Sequence, residues 1–364
     1  MRVAGRIVTE TGIVTGVVGF GGRIERIEAA DLRDEEAEQW VLPGFVDLHL
    51  HGGGGADTMR GEIDIRKLAR FHATHGTTSL LATTVTAPPE DLELAAAGTG
   101  AVARRPAPGE ARVLGLHLEG PFINPKRLGA QPRFTRKPDI DLFDRLRSFV
   151  AIRVLTMAPE MDEGLQFLKY ATANGTRVQI GHSDADFVTA CAALDAGASG
   201  FTHLFNAMRP FQHRDPGTAG AALARARHAE IIPDLQHVAP GAILAALRAV
   251  PQLYCITDAM EATGMPDGGY RLGTHAVTKH GAVATLADGT LAGSVLTMDA
   301  ALRNLVVLGL EIGEAARRLS TIPADYLGLK ERGRIAVGAM ADLVVLGPDL
   351  AIRSVVLEGH TVHV

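Results

Sequence analysis

The chain has 364 residues, 46% hydrophobic and 21% charged, enough for one large domain with a sizeable core and a small companion. A net charge of -5 gives no reason to expect nucleic acid or an anionic membrane as a partner. No apolar run is long enough to span a membrane, no secretion signal opens the chain, and Cys191 and Cys255 are too few for a disulfide framework, so the expectation is a cytoplasmic enzyme.

The first forty residues read as short strands with Gly turns, at Arg6 to Val8, Gly12 to Gly19 and Arg23 to Glu28. The last thirty repeat the pattern at Asp342 to Leu346 and Arg353 to Glu358. Neither end carries enough apolar surface to fold alone, so residues 1–42 and 335–364 are expected to form one small β domain. Between them, over 43–334, strands alternate with helices. The strands are Val41 to His51, Thr77 to Thr86, Val113 to Glu119, Ala151 to Met157, Arg177 to His182, Gly200 to His203, Glu230 to His237 and Leu253 to Asp258. Amphipathic helices separate many of them, for example Ile65 to Ala73 and Glu163 to Ala173. Eight short apolar strands joined by helices imply parallel pairing and a closed barrel, whose chemistry sits at the carboxyl ends of the strands.

Those ends are rich in ligand-type side chains. Strand one ends in His49-Leu-His51, and alternation sends both imidazoles to one face while Leu48 and Leu50 take the other. Strand three ends in His117-Leu-Glu119, strand five in Gly-His182, strand six in Thr-His203, and strand eight in Thr-Asp258. Ionised and unpaired, Glu119 would be costly at the end of an apolar strand, and a cation beside it removes the cost. His182 and His203 taken singly read as ordinary buried histidines; with Glu119 they supply three protein ligands of a catalytic zinc-type site. Asp258 suits a loop contact, a metal ligand, or a carboxylate near the barrel axis that takes a proton from bound water. His117 is expected to be structural, and the Gly52 to Gly55 run, which lacks a Walker Lys-Ser/Thr, to be a barrel loop.

Several blocks resemble the N-acetylglucosamine-6-phosphate deacetylase family of the amidohydrolase superfamily. They are Leu118-Glu-Gly-Pro-Phe-Ile-Asn-Pro-Lys-Arg-Leu-Gly-Ala130, Gly181-His-Ser183, Thr202-His-Leu-Phe-Asn-Ala-Met208, His213-Arg-Asp-Pro-Gly217, Thr257-Asp-Ala259, Leu291 to Met298 and the closing Gly333 to Leu343. The resemblance covers nearly the whole chain. It implies an α/β fold, a TIM-like (β/α)8 metal-dependent hydrolase barrel with a small β-sandwich domain built from both termini. It further implies that Glu119, His182 and His203 hold the principal divalent metal, that His49 and His51 permit a second ion, and that Asp258 is the general acid/base. Asn206, the Ala207 amide and Met298 would contact substrate, His237 would reach the phosphate region, and Arg214 would pair the phosphate, across a homodimer interface in this family. Zinc is the first expectation, with iron, manganese or cobalt as alternatives for such borderline donors.

The activity implied is hydrolysis of the acetamide of N-acetyl-D-glucosamine 6-phosphate to D-glucosamine 6-phosphate and acetate, in amino sugar catabolism or cell-wall recycling. In one place the chain departs from the family. Many relatives carry His in the strand-three loop where this chain has Gln131, which donates a hydrogen bond to the acetamide but cannot carry a proton charge. A cyclic amide hydrolase or nucleobase deaminase shares the His-x-His and the closing Asp; the Glu-Gly-Pro block and Arg214 favour the amino sugar.

Overall fold

The computed structural model describes residues 1–362. Strands Phe45–Leu50 (β1), Thr77–Thr83 (β2), Arg112–Glu119 (β3), Ile152–Met157 (β4), Arg177–Ile180 (β5) and Gly200–Phe201 (β6) pair in parallel in that order. His228–Ile231 (β7) and Gln252–Cys255 (β8) form a second parallel pair. The ring closes through single bonds: Leu204 N donates to Glu230 O at 2.8 Å, Asp258 N to His49 O at 2.9 Å, and His51 N to Ala259 O at 2.8 Å. Every residue of β1 and β2 is buried, as parallel strands covered on both faces require.

The termini share one seven-stranded sheet. Arg2–Thr9, Gly12–Phe20 and Ile24–Ala29 lie on one side of Trp40–Pro43, and Leu343–Leu346, Ile352–Leu357 and His360–Val362 on the other. One face closes over Ile7, Val18, Phe20, Ile24, Val41, Leu343 and Val356, joined by Ile335 and Ala339, so the two ends of the sheet meet around a core of their own. Val8, Leu42, Val344 and Leu346 on the other face belong to the barrel's core.

Two sequence expectations need correction, and one element went unforeseen. The first strand, expected to run unbroken from Val41 to His51, divides at Gly44. Trp40–Pro43 belongs to the terminal sheet and Phe45–Leu50 to the barrel. Gly44 N donates to Asp342 O at 2.8 Å, and a Cβ there would lie 2.2 Å from Thr78 Oγ1, so only glycine lets the chain change sheets against β2. Strand seven stops at Ile231 rather than running to His237. Pro233 offers no amide for a ladder, and the Asp234 carboxylate accepts from Gln236 N and His237 N to make a turn. Finally, an antiparallel insert of Gly268–Leu272, His275–His280 and Val283–Thr285 follows β8 before its helix, Met298–Val307.

Candidate metal centre and cleft

Alternation along β1 turns Asp47, His49 and His51 into the barrel, while Leu48 and Leu50 enter two separate apolar clusters outside it. His117 and Glu119 share the inward face of β3. His182, His203 and Asp258 stand just past the ends of their strands with φ of 50°, 27° and 52°. Non-glycine residues held in this region cost about 1–3 kcal/mol each and gather at functional sites.

These groups converge. Glu119 Oε1 lies 3.1 Å from His182 Nε2 and 3.0 Å from His203 Nε2, and the two ring nitrogens are 3.1 Å apart. Tetrahedral zinc ligands at the usual bond lengths are about 3.3 Å from one another, so this triangle has the size of one face of such a site. His51 Nε2 lies 3.3 Å from Glu119 Oε2 and 3.2 Å from Asp258 Oδ1. His49 Nε2 is 3.5 Å from Glu119 Oε1 and 3.6 Å from Asp258 Oδ1, and it is a buried nitrogen with no hydrogen-bond partner.

Burial alone would lower the two β1 imidazoles' pKa values. The carboxylates outweigh it: Glu119, Glu230 and Asp258 raise His49 well above its ordinary value, and Asp258 and Glu119 raise His51 to about 9. Burial pushes the carboxyls the other way, yet the imidazoles hold Glu119 well below the usual range and Asp258 at about 2. The cluster therefore demands positive charge at its centre. Protons on imidazoles satisfy that demand; a divalent cation satisfies it with the rings neutral and acting as ligands. The donor set thus fits a metal.

A cleft of about 210 Å³ opens over the cluster. Gln131, Asn206, Ala207 and His237 line it, and Leu272, Thr290, Leu291 and Gly293 close it from the β8 side. His237 Nδ1 is held by Asp234 Oδ2 at 2.6 Å. Gln131 is more constrained than expected. Its Oε1 accepts from Thr86 N at 2.7 Å and its Nε2 donates to Glu119 Oε2, so both ends of the amide are engaged within the protein.

One expected contact lies elsewhere. Met298 is fully buried in the barrel core at the start of its helix and offers no surface to the cleft. Arg214 is exposed on the loop after β6 and does not line its own chain's cleft. His117 proves internal: its Nδ1 faces Leu48 O at 2.9 Å and its Nε2 faces Thr156 Oγ1 at 2.8 Å, and burial followed by the charge on His49 depresses it to about 4.

Sequence reasoning missed Asp47 and Glu230. Asp47 accepts from Thr257 Oγ1 at 2.6 Å and from the His49 amide at 3.2 Å; Glu230 faces His49 Nδ1 at 3.0 Å. Alternation from His49 back to Asp47 was available as a signal, as was a carboxylate in the apolar run of β7.

A cleft over a buried imidazole–carboxylate cluster, at the carboxyl end of a parallel barrel, defines the metal-dependent barrel hydrolases. The amidohydrolase family matches residues 40–362, and the chain belongs to that family of metal-dependent hydrolases. It is 36% identical to the N-acetylglucosamine-6-phosphate deacetylase of Bacillus subtilis, across 97% of this chain and 94% of the relative. With the N-acetylgalactosamine-6-phosphate deacetylase of Escherichia coli it shares 38% identity over 98% and 97%. Among solved structures, a variant of Mycobacterium smegmatis N-acetyl-D-glucosamine-6-phosphate deacetylase in complex with N-acetyl-D-glucosamine-6-phosphate superposes with a TM-score of 0.92. Identity there is 36%, with 100% of this chain and 99% of that one covered.

Proposed function

We propose that this chain removes the acetyl group of N-acetyl-D-glucosamine 6-phosphate, giving D-glucosamine 6-phosphate and acetate, as a cytoplasmic step of amino sugar catabolism or cell-wall recycling. The observation that carries the reading is the Glu119–His182–His203 triangle facing Asp258 across one small cleft. Full-length similarity to deacetylases of amino sugar phosphates supports the substrate class. The working unit comprises a barrel of 43–334 and a terminal domain of 1–42 with 335–364.

Glu119, His182 and His203 would hold the principal ion, zinc in the first instance, and His49, His51 and Asp258 a second. When bound, such an ion supplies a Lewis acid for the acetamide carbonyl and lowers the pKa of its water toward neutrality. Asp258 accepts the proton of the attacking water and then delivers it to the amide nitrogen, which leaves poorly without one. Asn206 and the Ala207 amide hold the sugar, and His237 faces the phosphate. Gln131 keeps the Glu119 carboxylate turned toward the histidines. Arg214, outside its own cleft, serves the phosphate of the neighbouring subunit in a homodimer. Binding energy from the phosphate then positions the acetamide.

The test is acetate release by metal-assayed protein from N-acetylglucosamine 6-phosphate, its galactosamine epimer and the unphosphorylated sugar. Release that needs the phosphate, stops on chelation and returns with metal supports the reading; release from the epimer alone reassigns the substrate. No release at full metal occupancy rejects the deacetylase reading.

A further inference from the structure

We infer that Glu230 is a positioning residue for the metal cluster, its carboxylate fixing the His49 ring so that the Nε2 lone pair faces Glu119 and Asp258. The inference deepens the metal-dependent reading above and rests on it.

Glu230 lies in the middle of β7, completely buried. Its Oε2 faces His49 Nδ1 at 3.0 Å and also accepts from the backbone N–H of His203 at 3.3 Å. Its Oε1 accepts from the Tyr254 hydroxyl at 3.2 Å. That hydroxyl is held in turn by Gln179 Nε2 at 2.6 Å, which also donates to the Tyr326 hydroxyl at 3.2 Å. The carboxylate is therefore fixed from below by a buried network and touches both candidate ligand groups above it, through the His49 side chain and the His203 main chain.

A neutral imidazole carries one N–H, and an ionised carboxylate can only accept. With Glu230 at Nδ1, the His49 proton is kept there, and Nε2 is left as a lone pair aimed at the cluster. Nε2 is the nitrogen that is buried without a protein partner. A carboxylate behind a ligand histidine sets the ring's tautomer, orientation and basicity, and removing one costs about ten- to a hundredfold in metal affinity.

The experiment is a cobalt titration of metal-free, full-length protein against a chromophoric chelator, comparing wild type, Glu230→Gln and Tyr254→Phe. Glu230→Gln keeps the shape, removes the charge and offers an amide donor to His49. It is expected to weaken cobalt binding by about ten- to a hundredfold. Tyr254→Phe loosens one tie on Oε1 but keeps the Glu230 charge and its His49 contact, so it should weaken cobalt binding less than Glu230→Gln does, by about threefold at most; equal weakening by the two variants would overturn the assignment to the carboxylate. Weakening confined to one of two cobalt equivalents supports the inference together with a second ion. If wild type takes up a single equivalent, the two-ion reading fails, and Glu230 still stands or falls on whether that equivalent weakens. Unchanged cobalt affinity with only a lower melting temperature makes Glu230 purely structural and overturns the inference. Should Glu230→Gln fail to fold, nitrogen-labelled histidine in the zinc-loaded wild type decides, with His49 assigned by His49→Gln. A proton on Nδ1 is expected, and a proton on Nε2 overturns the inference.

Discussion

At the scale of single residues, Asp258 and Glu119 meet the same imidazole, His51, at 3.2 and 3.3 Å, yet their surroundings differ. Glu119 is engaged on all sides, by His182, His203 and Gln131. Asp258 lines the cleft beside the rings and has fewer partners. Asp258→Asn is therefore expected to keep the principal ion, measured as metal per chain, and to lower kcat by about 10²–10⁴-fold. Glu119→Ala removes one corner of the triangle and should lose metal and acetate release together; full metal occupancy in that variant would dismiss Glu119 as a ligand. The convergence of the histidines with Glu119 and Asp258 was legible in the sequence, because strand alternation and strand ends dictate where such side chains point. Gln131's engagement was not, since its partners Thr86 and Glu119 come from two different strand ends.

At the scale of elements, Gly44 is the point where one strand passes from sheet to sheet. Gly44→Ala places a methyl group against Thr78, a buried β-branched side chain with nowhere to swing. Overpacking of this kind costs about 1–3 kcal/mol, measurable by denaturant unfolding, and Thr78→Ala in the same chain should recover part of it. A helix residue beside the loop that follows β1 sets an acid limit. His72, on the helix Glu62–Thr74, is buried with Nε2 2.9 Å from Gly52 O, and burial lowers it from 6.5 to about 4. The unfolded chain binds this proton below about pH 6.5 and the folded chain only below about pH 4, so stability falls as the pH drops through that window. Unfolding free energies at pH 7 and pH 4.5 should differ by about 2–3 kcal/mol less in His72→Gln than in wild type. An equal difference would show that His72 is not responsible. The barrel's alternating pattern made its elements readable, whereas the insert after β8 was not. Its strands are short and half exposed, and their apolar residues Leu272, Val277 and Ala284 pack on Met260 and Ala262 rather than on a face of their own.

On the scale of the whole molecule, the proposed phosphate contact calls for a second chain. Arg214 is exposed and outside its own cleft, which is why sequence adjacency to the Asn206 block did not bring it into the site. Arg214→Ala is expected to raise KM for the phosphorylated sugar by about ten- to a hundredfold, the worth of a charge-assisted hydrogen bond, and to leave the unphosphorylated sugar unaffected. Mixing Arg214→Ala with Asp258→Asn discriminates further. If the arginine reaches across subunits, hybrid dimers regain one complete site and activity rises above that of either variant. If it serves its own chain, mixing restores nothing.

The terminal sheet carries a consequence for synthesis. Trp40–Pro43, the strand that leads into the barrel, pairs with Ile7 on one edge and with Leu343–Leu346 on the other. On the ribosome the first partner has already emerged, but the second appears some three hundred residues later, after every barrel strand has been made. A nascent chain therefore holds an open β edge until Leu343–Leu346 arrives, the circumstance in which unpaired strands invite aggregation.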